Sequence, residues 1–184
     1  VRLVIVGGSG AGKSTQAQRL CRHFELPLIS TSEIVQEVSK SHSDFNYSAL
    51  SLSVTRIIPE QMMIEFIHTK LLESVANTGW ILEGYPHTVF GAEQLDILLE
   101  KLGQKLDWAI YLQVPEAVMV SRREGRFLPD DQPEIVQRRV ELFYDRTIPI
   151  LEYYDRRRRL LTINGDQSPE LVQQNIINLL STAN

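Results

Sequence analysis

Residues 7–15 read GGSGAGKST, directly after the apolar run RLVIV at 2–6 and directly before the amphipathic stretch KSTQAQRLCRHF at 13–24. The string satisfies G-x-x-x-x-G-K-S/T through Gly7, Gly12, Lys13 and Ser14, set between a strand pattern and a helix pattern. In that setting it describes a mechanism. Glycines let the backbone wind around an anion, so that successive N–H groups and the positive end of the helix dipole converge on phosphate oxygens. Lys13 adds a point charge shared between β- and γ-phosphates, and the Ser14 hydroxyl, with Thr15 beside it, suits Mg²⁺. Such a loop commits the chain to an α/β layout, in which a covered strand feeds the loop and a crossover helix follows.

The remaining sequence keeps that rhythm. Short apolar or β-branched runs at 2–6, 28–30, 80–82, 108–114 and 160–163 alternate with helix patterns at 13–24, 31–38, 59–76, 90–102, 115–123, 133–154 and 169–180. Several of these patterns open on proline, which suits a first helical turn. WAIYLQV and RLVIV are apolar almost throughout, as strands covered on both faces are, so an open α/β sheet is expected. Two segments interrupt the pattern: 40–53 (KSHSDFNYSALSLS), polar and serine-rich, and 124–131 (EGRFLPDD), rich in glycine, proline and acid. Each is a candidate flap over a ligand.

Composition narrows the function. At 184 residues the chain fits one domain, and 19 basic against 23 acidic residues argue against a nucleic-acid binder that relies on bulk charge. The one cysteine, Cys21, excludes an intrachain disulfide or multi-cysteine zinc site, suggests a reducing compartment, and is expected in the buried core. No apolar run approaches the roughly 18 residues that span a bilayer. Neither D-x-x-G nor N-K-x-D occurs, which disfavours a GTPase, and helicase or transporter ATPases need larger cores. A small phosphotransferase fits best. The arginines at 156–159 suit a solvated helix end better than a nucleic-acid contact, and His23, His42 and His68 show no metal spacing. Met62, Met63, Ile64, Phe66 and Ile67 are expected to pack the base of an insert.

Four blocks, GGSGAGKSTQ, LISTSEI, WILEGYPHT and PDDQPEIVQRRVELFYDRTIPILEYY, stand in the order and spacing of the adenylate kinases. Over nearly its full length the chain resembles that family of nucleoside monophosphate kinases. The resemblance implies a P-loop α/β fold with a five-stranded parallel sheet flanked by helices. It implies one domain, 1–184, with a monophosphate-binding insert at 31–58 and a reduced lid at 124–131. It further implies conversion of ATP and AMP to two ADP with Mg²⁺. The expected partners are nucleotides, with neither nucleic acid nor membrane, and the chain is expected to be monomeric and cytoplasmic. A plastid or other organelle is the alternative if a segment ahead of Val1 has been trimmed.

Carried over by position, Gly10, Ala11, Gly12, Lys13, Ser14 and Thr15 match the stretch around the ATP phosphates, although Ser9 and Ser14 replace the family's proline and glycine. Arg122 and Arg126 match the arginines flanking ATP at the near edge of the lid, four residues apart and so on one face if the helix persists. Arg139 matches the arginine bridging the two substrates' phosphates, and Gln167 is a further ATP position. Glu83 takes the place of the aspartate that, with Ser14, serves Mg²⁺ through water. Lys13, Arg122, Arg126 and Arg139 form the expected catalytic set, because a loose phosphoryl-transfer transition state needs positioning and positive charge rather than a base.

On the acceptor side Thr31, Ile57, Ile58, Gly84, Tyr85 and Pro86 are expected to bind the monophosphate. Three positions depart from the family. Gln36 and His87 replace arginines that grip the AMP phosphate, and Gly91 replaces the glutamine that reads adenine. Leu128 also stands where a lid arginine is usual. Losing two charge-assisted bonds costs about 3–6 kcal/mol, or roughly a hundred- to ten-thousand-fold in affinity. His87, with an ordinary pKa of about 6.5, is expected to help through partial charge. The resulting expectation is an adenylate kinase-like enzyme with a weakened or altered acceptor site. The alternatives are a nucleotide-responsive scaffold that binds ATP without transfer, and a kinase for another acceptor.

Overall fold

A computed structural model describes residues 1–34, 36, 60–73, 78–124 and 133–183, with backbone alone at 123, 124, 133–140 and 142. The elements run β1 (Arg2–Val6), α1 (Lys13–Phe24), β2 (Leu28–Ser30), α2 (Glu60–Glu73), β3 (Trp80–Glu83) and α3 (Val89–Lys101). They continue as β4 (Trp108–Gln113), α4 (Glu116–Glu124), α5 (Pro133–Arg156), β5 (Leu160–Asn164) and α6 (Pro169–Thr182). The strands form one sheet in the order β2-β3-β1-β4-β5, with every pairing parallel.

Alternation along β1 explains why its residues are apolar without interruption. Leu3 and Ile5 enter one core with Ala17 and Leu20 of α1 and Val172 and Ile176 of α6. Val4 and Val6 enter the other with Met63 and Ile67 of α2, Leu95 and Leu99 of α3, and Ile150 and Tyr154 of α5. Both faces of the sheet are therefore covered, and each fully buried aliphatic side chain contributes about 1.5–3 kcal/mol of transfer free energy. Helix ends are fixed locally. Thr88 caps α3 by accepting a hydrogen bond from the Gly91 N–H, and Ser168 caps α6 ahead of Pro169.

The topology positions a site. From β1 the chain first builds β2 and β3 on one side, then crosses over to β4 and β5 on the other. The carboxyl ends of β1, β3 and β4 thus meet where the winding reverses, the place where open α/β sheets form a ligand crevice. The loop at 7–12 leaves β1 at that edge. β3 extends through Glu83, one residue beyond the expected end, because its carboxylate is held by neighbouring hydroxyls while its backbone pairs with Ile5 and Ser30.

Three sequence expectations need correction. Cys21 is only half-buried at the edge of the second core, although burial still pushes its thiol up to about 11. Met62 is 45% exposed while Met63 and Ile67 are buried, because only one side of α2 faces the sheet. The basic run after α5 is not simply a solvated end. The Arg157 guanidinium lies 3.5 Å above the Tyr153 ring, Tyr153 donates to Asp96 at 2.7 Å, and Arg159 pairs with Asp96 at 3.5 Å, tying this corner to α3. No helix among the described residues is long and apolar enough to cross a membrane.

Candidate active site

The loop between β1 and α1 is shaped mainly by its own backbone. Ala11 N–H donates to the Gly8 carbonyl at 3.1 Å, and the Gln16 N–H donates to the Gly12 carbonyl at 3.0 Å as α1 begins. Gly12 caps the helix with φ of 92°, a left-handed conformation that a side chain would strain even though open space surrounds it. The Lys13 ammonium reaches back to the Gly8 carbonyl at 3.0 Å, so the loop's cation lies against the loop itself. Arg122 of α4 donates to the Gly10 carbonyl at 3.3 Å and the Gly165 carbonyl at 3.1 Å, and it pairs with Asp166 at 3.9 Å. It therefore clamps the loop against the turn after β5.

Ser14 connects this loop to the neighbouring strand. Its hydroxyl donates to Glu83 Oε1 at 3.1 Å, and Ser30 at the end of β2 donates to Oε2 at 3.2 Å. The Ser30 hydroxyl also lies 2.8 Å from that of Ser32. Glu83 is buried, and this pair of donors offsets part of the cost of burying a carboxylate. The donor set is all oxygen, as Mg²⁺ prefers.

Across from the loop, Thr31 begins a helical turn directly after β2. Gly84, with φ of 90°, packs so closely on Thr31 that a Cβ would run into the threonine Oγ1. The Tyr85–Pro86 peptide is cis, and the Tyr85 hydroxyl donates to the Gly91 carbonyl at 3.1 Å. Thr88, besides capping α3, donates to Glu60 Oε1 at 2.6 Å. A Cβ on Gly91 would meet that same Glu60 oxygen, so the α2 carboxylate fills the volume beside Gly91. Burial, followed by the Glu60 charge, raises the Tyr85 phenol well above its ordinary range.

His87 corrects the expectation of partial charge. Burial, then the Lys13 charge, then the Arg146 charge of α5, lower its pKa to about 4, so its imidazole is neutral near pH 7. Its Nε2 is closed to solvent and has no hydrogen-bond partner among the described residues.

The structure therefore joins Ser14 to Glu83, sets His87 within electrostatic reach of Lys13, and groups Thr31, Gly84, Tyr85 and Gly91 nearby. Gln36 is exposed on the turn after Thr31. Gln167 accepts a hydrogen bond from Asn175 of α6 at 3.0 Å. Arg139 lies on α5, where only the backbone is described, and Arg126, Ile57, Ile58 and Leu128 lie outside the described residues. Most of the expected insert and lid falls outside them as well.

Sequence reasoning missed Glu60, Ser30 and Arg146. Arg146 lies seven residues after Arg139, two helical turns along one face, and that spacing was a usable signal. Ser30 stands directly before Thr31 in the LIST string. Nothing in the sequence marks Glu60, whose role depends on the absence of a side chain at Gly91.

A family model described as adenylate kinase matches residues 5–159. The chain is 66% identical over 181 residues to Adenylate kinase 2 of Nostoc sp., covering 98% of each chain. It is 46% identical to Adenylate kinase 2 of Synechocystis sp., covering 94% of this chain and 98% of that one. Against Adenylate kinase 1 of Nostoc sp. identity is 38%, with 93% and 94% covered.

Proposed function

The chain belongs to the adenylate kinase family, and on that premise we propose that it transfers the terminal phosphoryl group of ATP to AMP, giving two ADP. The observation that carries this reading is the Ser14–Glu83 hydrogen bond, which joins the phosphate loop to the strand whose end leads into Gly84, Tyr85 and His87. Donor and acceptor positions thereby sit at adjacent strand ends.

In this reading the amides of the loop receive the ATP phosphates, and the Lys13 ammonium exchanges the Gly8 carbonyl for phosphate oxygens. Arg122 holds the loop's shape through Gly10 and Gly165. An acceptor phosphate oxygen forms a bond to the γ-phosphorus while the bond to the bridging oxygen of the leaving ADP breaks. Lys13, with Arg126 and Arg139, spreads positive charge around the migrating group. Ser14 and Glu83 would hold Mg²⁺ through their oxygens. Among the described residues no group of three or more His, Cys, Asp or Glu could hold a metal ion, and nucleotide phosphate oxygens would supply the remaining ligands. When bound, Mg²⁺ neutralises charge on the β- and γ-phosphate oxygens.

The monophosphate site comprises Thr31, Gly84, Tyr85, Pro86, His87 and Gly91, with Gln36, Ile57 and Ile58 from the insert. Its nucleotides are the partners of a monomeric, cytoplasmic enzyme. Nothing in the site favours the scaffold alternative. A coupled assay of ADP formation from ATP and Mg²⁺ with AMP, GMP, CMP or UMP tests the reading. AMP-dependent turnover within about 1–100 s⁻¹ is expected; ATP binding without ADP formation from any acceptor would overturn it.

A further inference from the structure

We propose that binding of the acceptor nucleotide draws one proton into the site and that His87 is the group that takes it. The inference rests on the acceptor reading above and deepens it.

The surroundings of His87 suit an anionic partner. Nε2 is shielded from water and lacks a hydrogen-bond partner among the described residues, a costly state for a polar atom. Among the described residues, the charged groups acting on the ring are Lys13 at the start of α1 and Arg146 on α5, both cationic. Glu83, the nearest acid along the chain, has its two oxygens turned to Ser14 and Ser30. With burial and two cations opposing protonation, the ring is neutral without ligand, its pKa lowered to about 4.

A phosphate dianion reverses each influence. It neutralises Lys13 and Arg146, supplies an acceptor for the orphaned nitrogen, and rewards a charged ring by direct attraction. A neutral imidazole has one N–H and one lone pair, whereas the imidazolium donates from both nitrogens. In the balanced step the lone pair takes a proton from solvent, and the new cation stays paired with the dianion without any covalent bond to phosphorus. An arginine in this position carries its charge before the ligand arrives. His87 acquires it only with the ligand, so acceptor affinity becomes pH-dependent, falling up to about tenfold per pH unit once the bound ring begins to deprotonate.

Calorimetric titration of the whole chain with AMP, in two buffers of different ionisation enthalpy near pH 7.5, reads the proton directly. Free AMP is mostly dianionic there, since the second phosphate pKa is about 6. Uptake approaching one proton is expected for the native chain. In His87→Arg and His87→Gln most of it should vanish while AMP still binds. ¹⁵N spectra should show the His87 ring nitrogens moving to the imidazolium position as AMP is added. Buffer-independent heats overturn the proposal and leave the acceptor reading intact. Uptake unchanged in both variants also overturns it, by placing the proton on the phosphate. Failure of the native chain to bind AMP, with no ADP formed, overturns both readings. Should either variant fold poorly, the ¹⁵N titration of the native chain decides alone.

Discussion

The proposed donor and acceptor halves of the site are built from different materials. Around the glycine loop the structure is held by the main chain, through hydrogen bonds to the Gly8 and Gly12 carbonyls and by Arg122 on Gly10. Around β3 and the start of α3 the walls are side chains: Thr31, Tyr85, His87, Thr88 and Glu60. A backbone cradle survives most substitutions provided its special conformations are kept, whereas a wall of side chains changes chemistry with each replacement. On that contrast, replacements at the proposed acceptor positions Gln36, His87 and Gly91 alter the chemistry of a wall, whereas the loop at 7–15 keeps the general phosphate-binding pattern.

Mutations that treat the halves unequally probe that contrast. Lys13→Ala removes the one charged side chain of the cradle, and turnover in the coupled assay should fall by about a hundred- to thousandfold. A loss below tenfold would mean that the amides alone carry the donor half. Acidification should act on the other half. The unfolded His87 takes a proton near pH 6.5 and the folded one only near 4, so stability is full above 6.5 and drains as pH falls through that interval. Denaturant unfolding of the native chain should lose up to about 3 kcal/mol from this group, and His87→Gln should flatten that part of the profile.

Gly84→Ala combines a left-handed backbone with a clash against Thr31. It should cost roughly 2 kcal/mol in unfolding experiments and raise the KM for AMP more than that for ATP. The smallest quantity to be read is the coupling of two substitutions beside Gly91. Gly91→Gln alone should destabilise the chain by about 1–3 kcal/mol through overpacking against Glu60, and adding Glu60→Ala should recover at least about 0.5 kcal/mol of that. Strict additivity of the two substitutions would show that Glu60 does not occupy the space in question.

Much of the fold was legible from periodicity. β1, α1 and β2 fall on their expected residues, and the other described elements differ at their ends by a few residues at most. The reason is physical: a sheet covered on both faces demands continuous apolar runs, and helices on either side demand amphipathic ones. The glycine loop was legible for a similar reason, since its turn into α1 takes a left-handed conformation at Gly12 that favours glycine. The acceptor site was less so. The family resemblance singled out His87 and Gly91, but the state of His87 depends on burial and on Arg146, some 59 residues away in sequence. Glu60 lies 31 residues from Gly91 and gains its role only because the chains meet in space. Distances of that kind leave no local trace.

The contact between the Lys13 ammonium and the Gly8 carbonyl bears on how readily nucleotide leaves. An ammonium free in water would surrender only hydration to an arriving triphosphate; this one must also give up an internal partner. On the proposed reading capture is thus an exchange, and only the difference between the two attachments contributes to affinity. The reverse exchange is correspondingly easier, since departing ADP returns the ammonium to a waiting carbonyl. A catalyst that must shed two products each cycle benefits from so moderate a grip.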